Sequence, residues 1–418
     1  MSAQTPLLVD AIRGALAYEP QGEPAGNVTV GRGNLDGRAV RVALIENRFA
    51  SGSLGSVEAE RLGALFMIVA RERTPLAVCL DSAGAKVSEG LKALGAFRAL
   101  FRTGLDAALA GAPIAMALGR NCYGGASMLA HLAPQRLFSP NTQLAMSGPA
   151  ILASAAGTSA ADEMFRAMAE AALAPAARVK ASGANALWTP EMDVAAWLRQ
   201  ALAPRGDAPT AFRFRHEALT ARVERRVPDA PWESVRRRDL ERIYAGDFEA
   251  RESQGLLDGE GRRGTSTERF LGIVGKAPLG IARAWRFADA VWRYTESPPQ
   301  RLEVFLDCAS HAPRLEDERA VLTEFIVDMS FALASLVARG TRVGLTVLGK
   351  AGGGVYVALA APAQRIASVY GADIQVLPGS AVAAILGASS DAVPSFGDYR
   401  AAGVADEELK LGFVPGTA

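Results

Sequence analysis

The sequence predicts an α/β protein built as two tandem domains, and three observations carry that prediction. A unit of apolar run, glycine-rich turn and helix of small apolar residues occurs twice. Its first copy is Pro113 to Leu118 leading into Gly119-Arg120-Asn121-Cys122-Tyr123-Gly124-Gly125, its second Val343 to Leu348 leading into Gly349-Lys350-Ala351-Gly352-Gly353-Gly354. The flanking blocks repeat in the same order: Ala77 to Ala85 pairs with Glu303 to Ala312 upstream, and Ala133-Pro134-Gln135-Arg136 pairs with Ala361-Pro362-Ala363-Gln364-Arg365 downstream. Asp81 precedes Gly119 by 38 positions and Asp307 precedes Gly349 by 42, so spacing is kept as well. Length is the third observation, because 418 residues exceed one ordinary core and suit two domains. A repeat this long is a duplicated domain rather than a solenoid array.

Composition narrows the class. Hydrophobic residues make up 50% and charged residues 21%, and 45 basic side chains nearly cancel 44 acidic ones. That balance gives no reason to expect nucleic acid or a polyanionic partner. The cysteines Cys79, Cys122 and Cys308 form no CxxC pair and no metal-ligand cluster, so a reducing cytoplasm is the expected compartment. Met1 to Pro20 lacks a basic region leading into an apolar core, the mark of a secretory signal. The uncharged run Leu144 to Ala161 is rich in Gly, Ser and Ala and broken by Pro149, which argues against a membrane span.

Taken in order, the chain opens with a short helical pattern and Gly/Pro-rich turns, then a strand at Ala39 to Ile45. A turn-rich loop from Asn47 to Gly55 precedes a helix from Ser56, the expected cap, to about Arg73. A strand ending at Asp81 leads into a long amphipathic helix over Ser88 to Ala110, with Leu91, Leu94, Phe97, Phe101 and Leu105 on one stripe. Strand 113–118, helix 124–131 and strand Gln135 to Phe138 complete the first α/β unit. Alanine-rich helices follow Ser147-Gly148-Pro149, and arginines crowd Arg222 to Arg242. Those arginines read either as a solvated helix with Glu neighbours or as a phosphate-binding surface, with Arg236 and Arg237 as contacts. The expected division is a first domain over 1–254, a Gly/Ser/Thr-rich linker at 255–267 and a second domain over 268–418.

The glycine turns fit neither GxxxxGK[ST] nor GxGxxG with a suitable acid, so a nucleotide site is weakly supported. An oxyanion site is the stronger reading: the N–H of Gly124 or Gly125, with an N–H from Gly84 or Ala85, polarises one thioester carbonyl from two sides. Close packing alone is the competing reason for those glycines. Of the three histidines, His131 reads as structural and His216 as a surface residue. His311 falls where the first copy has Gly84-Ala85, which makes it a candidate for catalysis or substrate contact. Tyr123 is a candidate hydrogen-bond or proton donor, Ser88 and Glu89 read as helix caps, and Asp81 and Asp307 as hydrogen-bonding partners of their turns.

With these residues assembled, the chain resembles the crotonase superfamily, in particular its carboxyltransferase branch. The likeness is to a fusion of the β and γ subunits of biotin-independent malonate decarboxylase. Phe49-Ala50-Ser51-Gly52-Ser53-Leu54-Gly55 is similar to the F-x-G-G-S-x-G segment of that branch, and Asp81 to Gly90 to its [DE]-[ST]-G-G-V-R-x-x-E-[AG] turn. Tyr123-Gly124-Gly125 and Ser147-Gly148-Pro149 fall where it has a glycine pair and a G-P turn, and Gly349 to Gly354, with Lys350, Gly353 and Gly354, resembles G-K-A-x-S-G. Ala83 stands in place of a family glycine, and Ala153 in place of an acid. The resemblance implies two tandem crotonase-like ββα-superhelix domains, with Ser51, Gly52, Ser53, Ser147 and Gly148 against substrate. It further implies decarboxylation of a malonyl or related thioester through an enolate held in an oxyanion hole. The substrate thiol is expected to be the phosphopantetheine of an acyl carrier protein or CoA, with no tightly bound cofactor, further subunits as partners and a homo-oligomeric state. A carboxyltransferase component served by a separate biotin carrier is the alternative enzyme, and an inactive scaffold for a carrier-protein complex the alternative class.

Overall fold

The computed structural model describes residues 7–159, 162–204, 206–223, 237–377, 379, 382 and 394–411. Its strands fall into two eight-stranded sheets. The first contains β1 (Glu19–Pro20), β2 (Val28–Leu35), β3 (Arg38–Ile45), β4 (Leu76–Ser82), β5 (Ile114–Tyr123), β6 (Gln135–Phe138), β7 (Gln143–Ala145) and β8 (Asn185–Leu187). The order is β1-β2-β3-β4-β5-β6-β8, with β7 on the end of β5, and every pairing after β2–β3 is parallel.

The second sheet contains β9 (Phe248–Ser253), β10 (Leu256–Arg263), β11 (Ser266–Lys276), β12 (Arg301–Cys308), β13 (Arg342–Gly352), β14 (Arg365–Val369), β15 (Asp373–Gln375) and β16 (Glu407–Leu409). It runs β9-β10-β11-β12-β13-β14-β16 with β15 on the end of β13, antiparallel up to β11 and parallel beyond. The expected α/β duplication is present, with β3-β4-β5 repeated as β11-β12-β13. Parallel strands are covered on both faces, which is why they read as unbroken apolar runs such as Leu76 to Leu80 and Val304 to Leu306.

Helices of the first half are α1 (Leu8–Ala15), α2 (Ser56–Glu72), α3 (Leu91–Leu109), α4 (Gly125–Ala130), α5 (Pro149–Ala155), α6 (Glu163–Leu173), α7 (Pro175–Ala181), α8 (Val194–Ala201), α9 (Ala208–Val223) and α10 (Arg237–Ile243). The second half has α11 (Ile281–Tyr294), α12 (Leu315–Arg319), α13 (Leu322–Ala338), α14 (Gly353–Ala360) and α15 (Phe396–Ala401). Helix α13 is mostly apolar and buries 15 of its 17 residues, including Glu324 and Asp328, which are held in charge pairs. It packs against α3, α4, α9 and α11, so the halves share one core in which Phe101, Met128 and Met146 meet Phe325, Met329 and Tyr356. Arg102 adds a bond from Nη1 to the Ala361 carbonyl, 3.0 Å.

Five expectations are corrected. Residues 255–267 are no linker: they form the β10–β11 hairpin, whose glycines let strands approach, since a Cβ on Gly259 would stand 2.1 Å from the Glu249 carbonyl oxygen. β2 is a full strand hidden by its Gly31 and Gly33. Ser56 does not cap α2; Gly55 occupies that position, and Glu58 accepts its N–H at 3.0 Å. Glu89 bonds the Ser56 N–H at 2.9 Å and so serves α2 rather than the long helix α3. His216 is buried, not on the surface. Among the described residues no helix is long and apolar enough to cross a membrane, and no group of three or more His, Cys, Asp or Glu is placed to hold a metal ion.

Candidate active site

Both glycine turns lead to one place. β5 hands Tyr123 and Gly124 to α4, β13 hands Gly352 to α14, and the two helix starts border one cavity of about 470 Å³. Residues of both halves line it, including Ala85, Gly125, Met128 and Met146 from the first and His311, Gly353, Gly354 and Val357 from the second.

In the first half, backbone bonding selects the donors. Leu54 N–H donates to the Gly84 carbonyl at 2.8 Å and Lys86 N–H to the Leu54 carbonyl at 2.9 Å, which leaves Ala85 between them. Gly84 N–H is taken by the Ser82 hydroxyl at 3.1 Å, and Gly124 N–H by the Ala145 carbonyl at 3.0 Å. Ala85 and Gly125 N–H have no partner among the described residues. Gly125 opens α4, where a helix leaves its N–H groups unsatisfied. The turns touch, since a Cβ on Gly84 would lie 3.3 Å from Gly125 N and 2.6 Å from the Tyr123 carbonyl oxygen.

The second half repeats this register. Leu279 N–H donates to the Ser310 carbonyl at 2.7 Å and Ala312 N–H to the Leu279 carbonyl at 2.8 Å, so His311 occupies the place of Ala85. Gly353, at φ 51°, matches Gly124 at φ 53°, and Gly354 follows as Gly125 does. His311 and Gly354, in matching register, line the same cavity as Ala85 and Gly125. His311 is held by its ring: Nε2 lies 2.8 Å from the Ser147 hydroxyl and Nδ1 3.2 Å from the Ser310 hydroxyl. Burial pushes its pKa down to about 4, so the imidazole is neutral.

Ser147 sits behind that ring on a turn fixed from the other half. Glu318, fully buried on α12, accepts the N–H groups of Met146 and Ser147 at 3.2 and 2.8 Å. Burial raises Glu318 to about 7, against the opposing pull of Arg178 and those two N–H groups. Tyr123 lines the cavity and its hydroxyl bonds the Gln143 side chain; burial raises its pKa.

Most sequence-derived candidates gather here, though not all. Ser51, Ser53, Gly148, Gly353 and Gly354 line the cavity, and Gly52 lies just behind, where a Cβ would meet the Asp81 carbonyl oxygen at 2.2 Å. Asp81 accepts from the N–H groups of Arg120 and Asn121, and Asp307 from that of Lys350, as hydrogen-bonding partners of the turns should. Lys350 itself is exposed and does not line the cavity. Arg237 is exposed on α10, paired with Glu241 at 3.3 Å, and away from the site; Arg236 lies outside the described residues. Met128, Met146 and Glu318 went unread in the sequence, and Phe97 was read only as part of an apolar helix stripe. Met146, directly before Ser147-Gly148-Pro149, was the one with a positional signal.

Fold and site together define an α/β protein in which the glycine turns and helix starts of both halves border one cavity. Residues 12–172, which hold Ala85 and Gly125, match the family described as Carboxyl transferase domain. The biotin-dependent acetyl-/propionyl-coenzyme A carboxylase beta5 subunit of Mycobacterium leprae is 25% identical over 282 residues, 63% of this chain and 50% of that one. The propionyl-CoA carboxylase carboxyltransferase subunit of Haloferax mediterranei is 35% identical over 103 residues, 25% of this chain and 20% of that one. The chain therefore spans half or less of the length of these curated relatives. A Pseudomonas malonate decarboxylase hetero-tetramer in complex with malonate overlays with a TM-score of 0.42 and 21% identity, covering 50% of this chain and 87% of that chain.

Proposed function

We propose that this chain is a carboxyltransferase that moves a carboxyl group to or from the α-carbon of an acyl-CoA-type thioester. The observation that carries the reading is the pair of matched donor sets, Ala85 with Gly125 and His311 with Gly354, bordering one cavity. The thioester oxygen fits the first set. When the α-carbon gains negative charge the oxygen becomes an enolate oxygen, and each N–H stabilises that charge by roughly 3 kcal/mol. The second set suits the carbonyl oxygen of the carboxyl donor, and a biotin group brought by a separate carrier would supply that carboxyl. Two of the relatives named above are carboxylase subunits, which supports this reading over simple carboxyl loss.

Decarboxylation of a malonyl thioester is the second reading, favoured by one feature of the wall. Lys86 is the one cationic side chain lining the cavity among the described residues, and it is paired with Glu89 at 3.2 Å, so a carboxylate there is desolvated by Met128, Met146 and Phe97. A single experiment separates the two. The purified protein is given malonyl-CoA with and without free biotin, and acetyl-CoA is followed by mass spectrometry. Acetyl-CoA formed only with biotin supports carboxyl transfer; formation at equal rate without biotin makes the protein a decarboxylase. No product in either arm, with the thioester bound, contradicts both and leaves the scaffold reading.

A further inference from the structure

We infer that Met146 sets the size of the acyl group this site accepts, an inference that rests on the acyl-thioester reading above. A group reacting between the two donor pairs places its α-carbon between α4 and α14, so whatever fills that gap bounds the rest of the acyl chain. Met146 fills it. Its backbone belongs to the first half, where a Cβ on Gly124 would lie 3.8 Å from its carbonyl oxygen, while its side chain crosses to the second, where its methyl would stand 2.3 Å from a Cβ on Gly354. The side chain therefore rests on the residue that supplies one of the second pair of donors.

The arrangement is anchored at both ends. Met146 Sδ lies 3.4 Å from the Ser127 hydroxyl, which is itself 3.0 Å from the Thr323 hydroxyl, and the Met146 N–H is held by Glu318. Met146 is 3% exposed yet lines the cavity. Its neighbours there, Leu94, Phe97, Met128, Val357 and Leu377, are apolar, so the chain they border is a hydrocarbon one. Methionine is unbranched and adapts to irregular space, which suits a wall that must close behind a short acyl group. Shortening it to alanine removes three heavy atoms from directly above Gly354 and opens the gap.

The test is calorimetric binding of acetyl-, butyryl-, hexanoyl- and octanoyl-CoA to the wild type, Met146→Ala and Met146→Leu. The wild type and the leucine variant are expected to bind the short chains best. The alanine variant is expected to gain at least about tenfold for hexanoyl- over acetyl-CoA. If the alanine variant does not fold, Met146→Val provides the milder truncation and is expected to shift the profile in the same direction by less. A folded truncation with the wild-type chain-length profile overturns the inference while leaving the thioester reading intact. Failure of every protein to bind any thioester overturns that reading and the inference with it.

Discussion

Ala85 and Gly125 are the proposed donors because their neighbours are committed: Gly84 and Gly124 spend their N–H groups on Ser82 and Ala145. A side chain at 125 has nowhere to go, since a Cβ there would stand 2.5 Å from the Phe97 ring. Gly125→Ala is therefore expected to lower turnover at least about tenfold and also to lower the unfolding temperature, because Phe97 must shift. Unchanged turnover together with a shifted Phe97 would remove Gly125 from the site. His311 makes a different prediction, because its backbone, not its ring, faces the role of Ala85. His311→Ala keeps the N–H and loses the bond to Ser147, so activity is expected to fall by roughly tenfold, about the weight of one buried hydrogen bond. Since the ring titrates near 4, wild type and variant should trace pH profiles of the same shape from pH 5 to 8. A step near pH 6.5 found in the wild type alone would make the ring an acid–base catalyst.

Helices α12 and α9 are tied down by buried polar groups as well as by apolar contacts such as Phe212 stacked on Phe331. Glu318 on α12 holds two N–H groups of the 146–147 turn, so Glu318→Ala leaves them without an acceptor and Arg178, whose bond to the Glu318 backbone carbonyl remains, without the carboxylate 3.9 Å away. The expected cost is about 3–5 kcal/mol in denaturant unfolding; a loss below about 1 kcal/mol would show that the turn stands without it. Along α9, His216 lies 2.6 Å from Asp328 and 3.4 Å from Asp289, and Arg222 pairs with Glu324, which Arg136 meets at 3.1 Å. Burial would depress His216, but the two carboxylates outweigh it and raise the pKa to about 9. The folded form then binds the proton more tightly than an unfolded chain with its usual value near 6.5. Its contribution is whole below pH 6.5 and is lost as the pH rises through 9. The wild-type unfolding temperature should fall over that window relative to His216→Gln, which lacks this component; parallel curves would contradict the pairing. Alternation and small-residue turns made the strands and glycine helices legible in the sequence. The His216 and Arg222 pairs of α9 and the Glu318 contact join residues 73 to 172 positions apart, and no local pattern marks such partners.

At the scale of the molecule, the duplication is what builds the site. Each copy brings one turn, one helix start and one proposed pair of donors, and a shared core around α13 joins the two. The repeat was legible in the sequence down to His311 standing for Ala85, because glycine and aspartate positions are dictated by backbone geometry. That the two copies share a cavity was not, because facing requires Met128 and Met146 to pack on Gly354, a contact between halves that only the folded chain displays. The central claim is that one chain supplies both donor pairs of one site. Its most direct test mixes two impaired proteins, Gly125→Ala and Gly354→Ala, through a cycle of mild denaturation and refolding, and assays malonyl-CoA turnover in the presence of free biotin. Each refolded site keeps both of its pairs from a single chain, so activity is expected to stay at the level of the separate variants. Recovery toward about a quarter of wild-type activity, the share expected when halves combine at random between chains, would contradict it.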